Sequence, residues 1–445
     1  MKGPRATRRA KRFVPTLEYL EDRLAPSTTT TFVDDNWQDL SRSSGAPQIG
    51  DLIQNLNDTI NPGGITAGYG VTGFGTVLVG GTPGTAAGAA TINDAIANTN
   101  VGGTVNVLEG TYSETATVNK SLTLRGVQHG ISAVTGRAGA VESVMDAAGN
   151  SGKSPFQVTA NDVTIDGFTV QNETNANVFG FGILLGAGTH GSHVLNNIIQ
   201  NNIAGLSLAN NSSTDPTVIQ DNLFQNNNQT GPVSGTAIYT DQFSAGGALT
   251  NVLIDGNAFV NDQNVGVLLG STSSGSQSNI TISDNTFSND GNAVFVGEAN
   301  QVAVFRNTIT GSAGSQIVAV GGVNDLAITQ NFIDNGSTNG VRILVDSADG
   351  FTGVNQNITI SANHIQGNPT AGVNLDAGAY TGTLDATNNW WGSATGPTTA
   401  ANPGGTGDKI IDPNGVLKFL PFLNTGIDAQ PNVPGFQPSP NTPPP

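Results

Sequence analysis

Val252-Leu-Ile-Asp-Gly-Asn-Ala-Phe259 and Ile280-Thr-Ile-Ser-Asp-Asn-Thr-Phe287 share one pattern: apolar, gap, apolar, three steps to Asn, two more to a large apolar residue. Val302/Val304/Asn307/Ile309, Leu326/Ile328/Asn331/Ile333 and Ile358/Ile360/Asn363/Ile365 repeat it, and Leu384/Ala386/Asn389/Trp391 closes the series. Upstream copies are looser: Val163/Ile165/Phe168/Val170 lacks the Asn, while Val194/Asn197/Ile199 and Ile219/Asn222/Phe224 lack the first apolar residue. A second apolar pair follows a small residue in each copy, as in Gly205-Leu206 with Leu208, Gly266-Val267 with Leu269 and Gly340-Val341 with Ile343. Each copy therefore holds at least two short strands, and its length varies from Asn285–Asn307 at the shortest to Asn222–Asn257 at the longest.

Strands this short cannot form a stable sheet singly, but a coiled chain lets each pair with its equivalent one turn on. Alternate side chains then point into a narrow core and stack like on like. The Asn falls where the chain bends. There its amide can bond main chain and the Asn of the next coil, an internal version of the amide ladders of stacked sheets. The expected rungs are Asn197, Asn222, Asn257, Asn285, Asn307, Asn331, Asn363 and Asn389. Unequal periods fit, because an insertion at a turn enlarges a loop without disturbing the stack. A leucine-rich repeat would need a Leu-dominated consensus, and a β-sandwich would not repeat its motif so closely. The fold class expected is all-β: a single-stranded right-handed parallel β-helix, or solenoid.

Upstream of the repeats, Thr91-Ile-Asn-Asp-Ala-Ile-Ala-Asn98 reads as a short capping helix, with Ile92, Ala95 and Ile96 on one face and Thr91 placed to cap it. Thr104-Val-Asn-Val-Leu108, Ala116-Thr-Val118 and Leu122-Thr-Leu124 read as strands of the first coils. The organisation expected is a basic, disordered leader over 1–30, a Gly/Thr-rich segment and cap over 31–90, the β-helix over 91–425 and a Pro-rich tail over 426–445, either a spacer or a frayed end.

Charge is unevenly placed. The net charge is −17, yet Lys2, Arg5, Arg8, Arg9, Lys11, Arg12 and Arg23 supply seven of the sixteen cationic side chains. The body is thus strongly acidic and would repel phosphate backbones and anionic lipid, which disfavours a nucleic-acid or membrane-surface role. With no cysteine there are no disulfides, thiolate metal sites or Cys nucleophiles. No apolar run approaches the ~18 residues needed to span a bilayer, and the leader lacks the apolar core of an ordinary secretory signal.

Phe13-Val-Pro-Thr-Leu-Glu-Tyr-Leu-Glu-Asp-Arg-Leu-Ala-Pro-Ser27 resembles the LExLEDRLxPS leader of planctomycete-type exported proteins. That resemblance implies bacterial export, to the medium or the cell envelope. Thr104-Val-Asn-Val-Leu-Glu-Gly-Thr-Tyr-Ser-Glu114 and Lys120-Ser-Leu-Thr-Leu-Arg-Gly126 resemble the first coils of the pectin-lyase-like superfamily of parallel β-helix repeat proteins. Asn388-Asn-Trp-Trp-Gly-Ser-Ala-Thr-Gly-Pro397 and Phe419-Leu-Pro-Phe-Leu423 resemble its last coil and cap. The resemblance implies the fold more than the activity, because the superfamily holds lyases, hydrolases, esterases and adhesins.

Each enzymatic branch can be tested on residues. The lyases use Arg or Lys as base, and the repeats offer only Arg306 and Arg342, without a basic cluster. The hydrolases' Gly-His-Gly turn and Arg-Ile-Lys motif do not occur, since His190-Gly-Ser-His193 is a different turn. Gly110/Tyr112/Glu114 and Gln220-Asp-Asn-Leu223 match esterase motifs, but the accompanying esterase motifs are missing, and both stretches suit the coil phase. The remaining candidates for catalysis are Asp221, Asp255 and Asp284, one or two positions before the ladder Asn on three consecutive coils. With coils stacked ~4.8 Å apart, they could serve glycoside hydrolysis or hold Ca²⁺. The structural alternative is that Asp is a good bend residue beside Asn. His190, His193 and His364 read as loop histidines without a third ligand, so no metal site is assigned and no cofactor is required. Trp390 and Trp391 suit either a sugar platform or a plug for the open end of the core.

The function expected is a secreted or envelope β-helix, monomeric, binding a polysaccharide or another cell-surface component without catalysis. The alternatives are a polysaccharide hydrolase or lyase centred on the Asp strip, and a structural spacer. The enzymatic alternative gains if the loops Asp241–Thr250 and Ser271–Ser278 wall in that strip.

Overall fold

The computed structural model describes residues 28–34, 38–39, 52–54, 69–70, 78–80, 91–148, 154–176 and 179–439. The leader stretch Phe13–Ser27 and the final Pro run lie outside the described residues. Among them, three sheets of fourteen, ten and twelve strands carry the chain, and their strands follow one another in rotation. Each coil contributes one strand to each sheet and pairs in parallel with the next coil. In the first sheet Ile254, Ile282, Val304, Ile328 and Ile360 stand in register. Phe224, Phe259, Phe287, Ile309, Ile333 and Ile365 do so in the second. Ile238, Val267, Val294, Ile317, Val341 and Val373 do so in the third. These columns are buried and form one continuous core. Fully burying each such side chain is worth roughly 1.5–3 kcal/mol.

The chain turns from the first sheet into the second by one left-handed residue followed by a buried one. Asn196, Asp221, Gly256, Asp284, Arg306, Gln330, Ala362 and Asn388 all have φ between 55° and 64°. The residue after each is a ladder asparagine. Its Oδ1 accepts the main-chain N–H and the Nδ2–H of the previous coil's asparagine at 2.8–3.1 Å, from Asn197 through to Asn389. Its Nδ2 also donates to a carbonyl of the coil before, as Asn285 does to Ile254 O. Every rung thus satisfies buried main-chain groups that a narrow bend would orphan. Phe168 holds the ladder position in the coil before Asn197 and gives its N–H to the Asn197 amide.

A second file runs down the next bend, five residues after the first. Asn202, Asn227, Asp262 and Asp290 are buried there, each behind a left-handed Asn: Asn201, Asn226, Asn261 and Asn289. The glycines that precede the third-sheet apolar pairs are needed for space. A Cβ on Gly205 would stand 2.5 Å from Ala237 O, and one on Gly266 2.7 Å from Ala293 O.

The ends are closed differently. At the start, Ile92–Asn98 is helical, capped by Thr91 and Asp94, and the Glu114 carboxylate accepts the Ile92 N–H at 2.7 Å. The strand Thr28–Asp34 joins the first sheet against Thr99–Val107, so the cap begins before residue 31. At the far end Trp391 is fully buried, whereas Trp390 is half-buried. The tail is neither spacer nor frayed end as far as Ser439. It folds back along the second sheet, and Phe436 is buried edge-on against Phe332 and His364, with ring centroids at 5.5 and 5.4 Å. A Phe ring covers there an outward-facing apolar stripe that the coil period alone leaves bare.

Candidate functional site

The three aspartates do not form one file. Asp255 ends a first-sheet strand and pairs in register with Gln220 and Ser283, whereas Asp221 and Asp284 occupy the left-handed bend one step later. Asp284 is neutralised by Arg306, whose Nε lies 2.8 Å from Oδ1. Asp255 accepts the Ser283 hydroxyl at 2.6 Å. Asp221 accepts the Ser132 hydroxyl at 3.3 Å, and its carboxyl is raised by burial, with the neighbouring Asp255 charge adding to this. The Asp255 charge thus acts on Asp221 and also on Arg306, the cation paired with Asp284. The loops Asp241–Thr250 and Ser271–Ser278 leave the third sheet for the first, at a different corner, and do not wall this strip. The segment beside Asp221 is 128–141, whose Ala133 N–H donates to Asp221 O at 2.9 Å.

The histidines also separate. His190 Nδ1 is 3.7 Å from Asp215 Oδ2, His193 lies in a first-sheet strand, and His364 Nδ1 is 2.8 Å from Asp334 Oδ1. Among the described residues no group of three or more His, Asp or Glu side chains is placed to hold a metal ion. Glu114 caps the helix, and the Tyr112 hydroxyl donates to Leu108 O at 3.1 Å, both structural tasks in the first coils. Arg137, which the coil pattern does not single out, sits over the second sheet with its guanidinium on Glu142 and on the carbonyls of Ile131, Phe168 and Asn196. It holds the 128–141 segment down on Ile198 and Leu223.

A concave site opens instead on the outer face of the third sheet. Its volume is about 330 Å³, and Phe179, Phe181, Leu184, Ser207, Tyr239, Asp241 and Phe243 line it. Leu184, Ser207 and Tyr239 are the outward residues of three stacked strands, aligned one above another. Phe179 stands at one rim, on the corner leading into the third sheet, and Phe243 at the other, on the corner leaving it. Both rings face solvent, Phe179 at 53% exposure and Phe243 at 78%. Phe179 has φ 62°, an uncommon backbone for a bulky side chain. Its ring is nearly parallel to that of Phe181 at 6.4 Å, which in turn contacts Tyr239 at 5.8 Å.

Polar groups converge on the same floor. The Tyr239 hydroxyl donates to Asp241 Oδ2 at 2.9 Å, and burial together with that carboxylate raises the phenol. Asp241 Oδ1 accepts the N–H groups of Phe243 and Ser244 at 3.0 and 2.6 Å, which fixes the rim loop. Ser207 is buried, and its hydroxyl has no hydrogen-bond partner. Apolar rings beside a phenol and a carboxyl group suit a molecule with both an apolar face and hydroxyl groups. The sign of this cleft in the sequence is modest: Leu184, Tyr239, Leu268 and Phe295 are apolar at positions that the strand period turns outward.

Residues 233–390 match the family model described as the right handed beta helix region. The fold is a right-handed parallel β-helix. No curated protein matches the chain. Solved structures with similarity include PfbA, a surface adhesin of Streptococcus pneumoniae, at 16% identity over 58% of this chain and 76% of that one, with a TM-score of 0.37. A mannuronic acid specific polysaccharide family 6 lyase from human gut microbiota shares 13% identity over 73% and 80%, with a TM-score of 0.39. An alginate lyase from Paenibacillus sp. str. FPU-7 shares 11% over 74% and 96%, with a TM-score of 0.35.

Proposed function

We propose that this chain is a secreted or cell-envelope β-helix that binds a glycan, as a monomer and without catalysis, in the aromatic cleft of the third sheet. The observation that carries this reading is a cleft lined by two exposed rings, Phe179 and Phe243, together with Tyr239 and Asp241. A sugar stacks its C–H face on such rings and spends its hydroxyls on the acceptors between them. No cofactor enters this reading. Binding of wild type and Phe243→Ala to a panel of soluble polysaccharides, by calorimetry, tests it. Wild type should bind at least one glycan, and the variant about tenfold more weakly, a loss of roughly 1.4 kcal/mol. Equal affinities would remove the cleft from consideration.

One observation favours a second reading, a polysaccharide hydrolase or lyase centred on the aspartates. Burial and the Asp255 charge raise Asp221, as a general acid beside a carboxylate requires. New reducing ends or unsaturated products, released by wild type and abolished in Asp255→Asn, would establish it; no product from any glycan that binds would end it.

A further inference from the structure

The second ladder changes chemistry half-way. Asn202 and Asn227 each use both ends of the amide: Asn227 Oδ1 accepts from Asn202 N and Nδ2, while Asn227 Nδ2 donates to Ile199 O and to Asp262 Oδ1, both at 3.1 Å. Asp262 Oδ1 also accepts the Asn227 N–H at 2.8 Å, and Asp290 Oδ1 accepts the Asp262 N–H at 2.9 Å. In both aspartates Oδ1 is therefore spent as the asparagine oxygen is. Oδ2 is left where asparagine carries its NH₂ group. Both Oδ2 atoms are buried and receive no donor.

An ionised carboxylate only accepts, so it has nothing to donate at the position where an asparagine rung donates. A protonated carboxyl has one donor and one acceptor, as an asparagine rung requires. We propose that Asp262 and Asp290 are carried as neutral acids that act as hydrogen-bond donors in the second ladder, and that the middle coils loosen when these protons are lost.

The electrostatics point the same way. Burial pushes Asp262 up to about 7, against the smaller opposing effect of its bonds to Asn227. Burial and the neighbouring Asp262 charge raise Asp290 well above the usual carboxylate range, opposed by main-chain hydrogen bonds at Asp262 and Ser288. No cation is among the groups acting on either. Because the folded chain holds these protons and the unfolded chain releases them near the ordinary value of 3.8, the native state binds more protons between. Stability is therefore fully present below that value and falls as pH rises through about 7.

Thermal unfolding of the full chain from mildly acid to mildly alkaline pH tests the proposal, comparing wild type with Asp262→Asn/Asp290→Asn. The wild-type Tm should fall as pH rises. The double variant should lose most of that slope, melting roughly 2–5 °C above wild type at alkaline pH and level with it near the unfolded-state value. A double variant less stable than wild type at alkaline pH would overturn the idea. Should that variant fail to fold, carboxyl ¹³C NMR of wild type decides: aspartate signals titrating at neutrality or above support it, and titration of every aspartate in the ordinary acid range overturns it. Millimolar Ca²⁺ raising the wild-type Tm, but not that of the double variant, would assign the pair to a cation and also overturn it.

Discussion

Asn257 Nδ2 lies 3.0 Å from Asn285 Oδ1, and the main-chain N–H of Asn257 lies 2.8 Å from the same oxygen. One amide oxygen thus closes the bend of the coil before it. Asn257→Ala would leave the Asn222 N–H without its acceptor and the Ile219 carbonyl without its donor, both buried. At about 1–3 kcal/mol for each orphaned group, the loss should be roughly 3–5 kcal/mol, read as a fall in the urea midpoint. A change below about 0.5 kcal/mol would mean that the ladder is ornament.

Phe259 lies between Phe224 and Phe287, parallel to both, with centroids at 5.1 and 4.5 Å. Phe259→Ala should open a cavity in mid-column and cost about 3–5 kcal/mol, while Phe259→Leu should cost less than half as much. Guanidinium unfolding of the two variants gives the comparison. Equal losses would indicate that the stacked ring itself, and not the volume it fills, carries the stability.

Arg137→Ala should release the 128–141 segment, because Glu142 then keeps a largely buried carboxylate without its partner. Breaking such a pair costs about 3–5 kcal/mol locally, and lysine cannot restore a guanidinium whose Nε, Nη1 and Nη2 are all engaged. Hydrogen exchange over 128–141 is the readout, and it should rise in Arg137→Ala and in Arg137→Lys. Unchanged protection in either would contradict the assignment.

Phe436→Ala should undock the tail while leaving the coils folded. The main-chain bond from Phe436 N–H to Gln330 O, at 2.7 Å, is too little to hold residues 426–439 without the ring. Limited proteolysis should then trim the tail, with little change in the Tm of the body. A large drop in Tm would show that the tail is part of the cooperative unit.

The fold was readable because its rule is local and repeated. In Ile280–Phe287, alternation separates inside from outside, and the Asn marks the bend. The second ladder is written in the same period, since Asn202, Asn227, Asp262 and Asp290 each follow a first-ladder Asn by five residues. The one-residue offset within the aspartate strip stands in the spacing, but the backbone conformation that goes with it does not. Asp255 is the last residue of a strand, whereas Asp221 and Asp284 are bend residues whose left-handed backbone favours Asp, Asn or Gly.

What the sequence by itself determined is the stack: which residues enter the core, where the chain bends and which coil follows which. Like stacks on like in a parallel coil, so one period specifies all the others. Only the tertiary structure decided which outward residues are covered and which remain for a ligand. Phe436 reaches Phe332 from a hundred residues away, roughly, and Phe179 comes within reach of Tyr239 and Phe243 only because a single coil, that of Ser207, stacks between them. Such contacts join residues whose separation varies with every loop insertion, and no period in the chain records them.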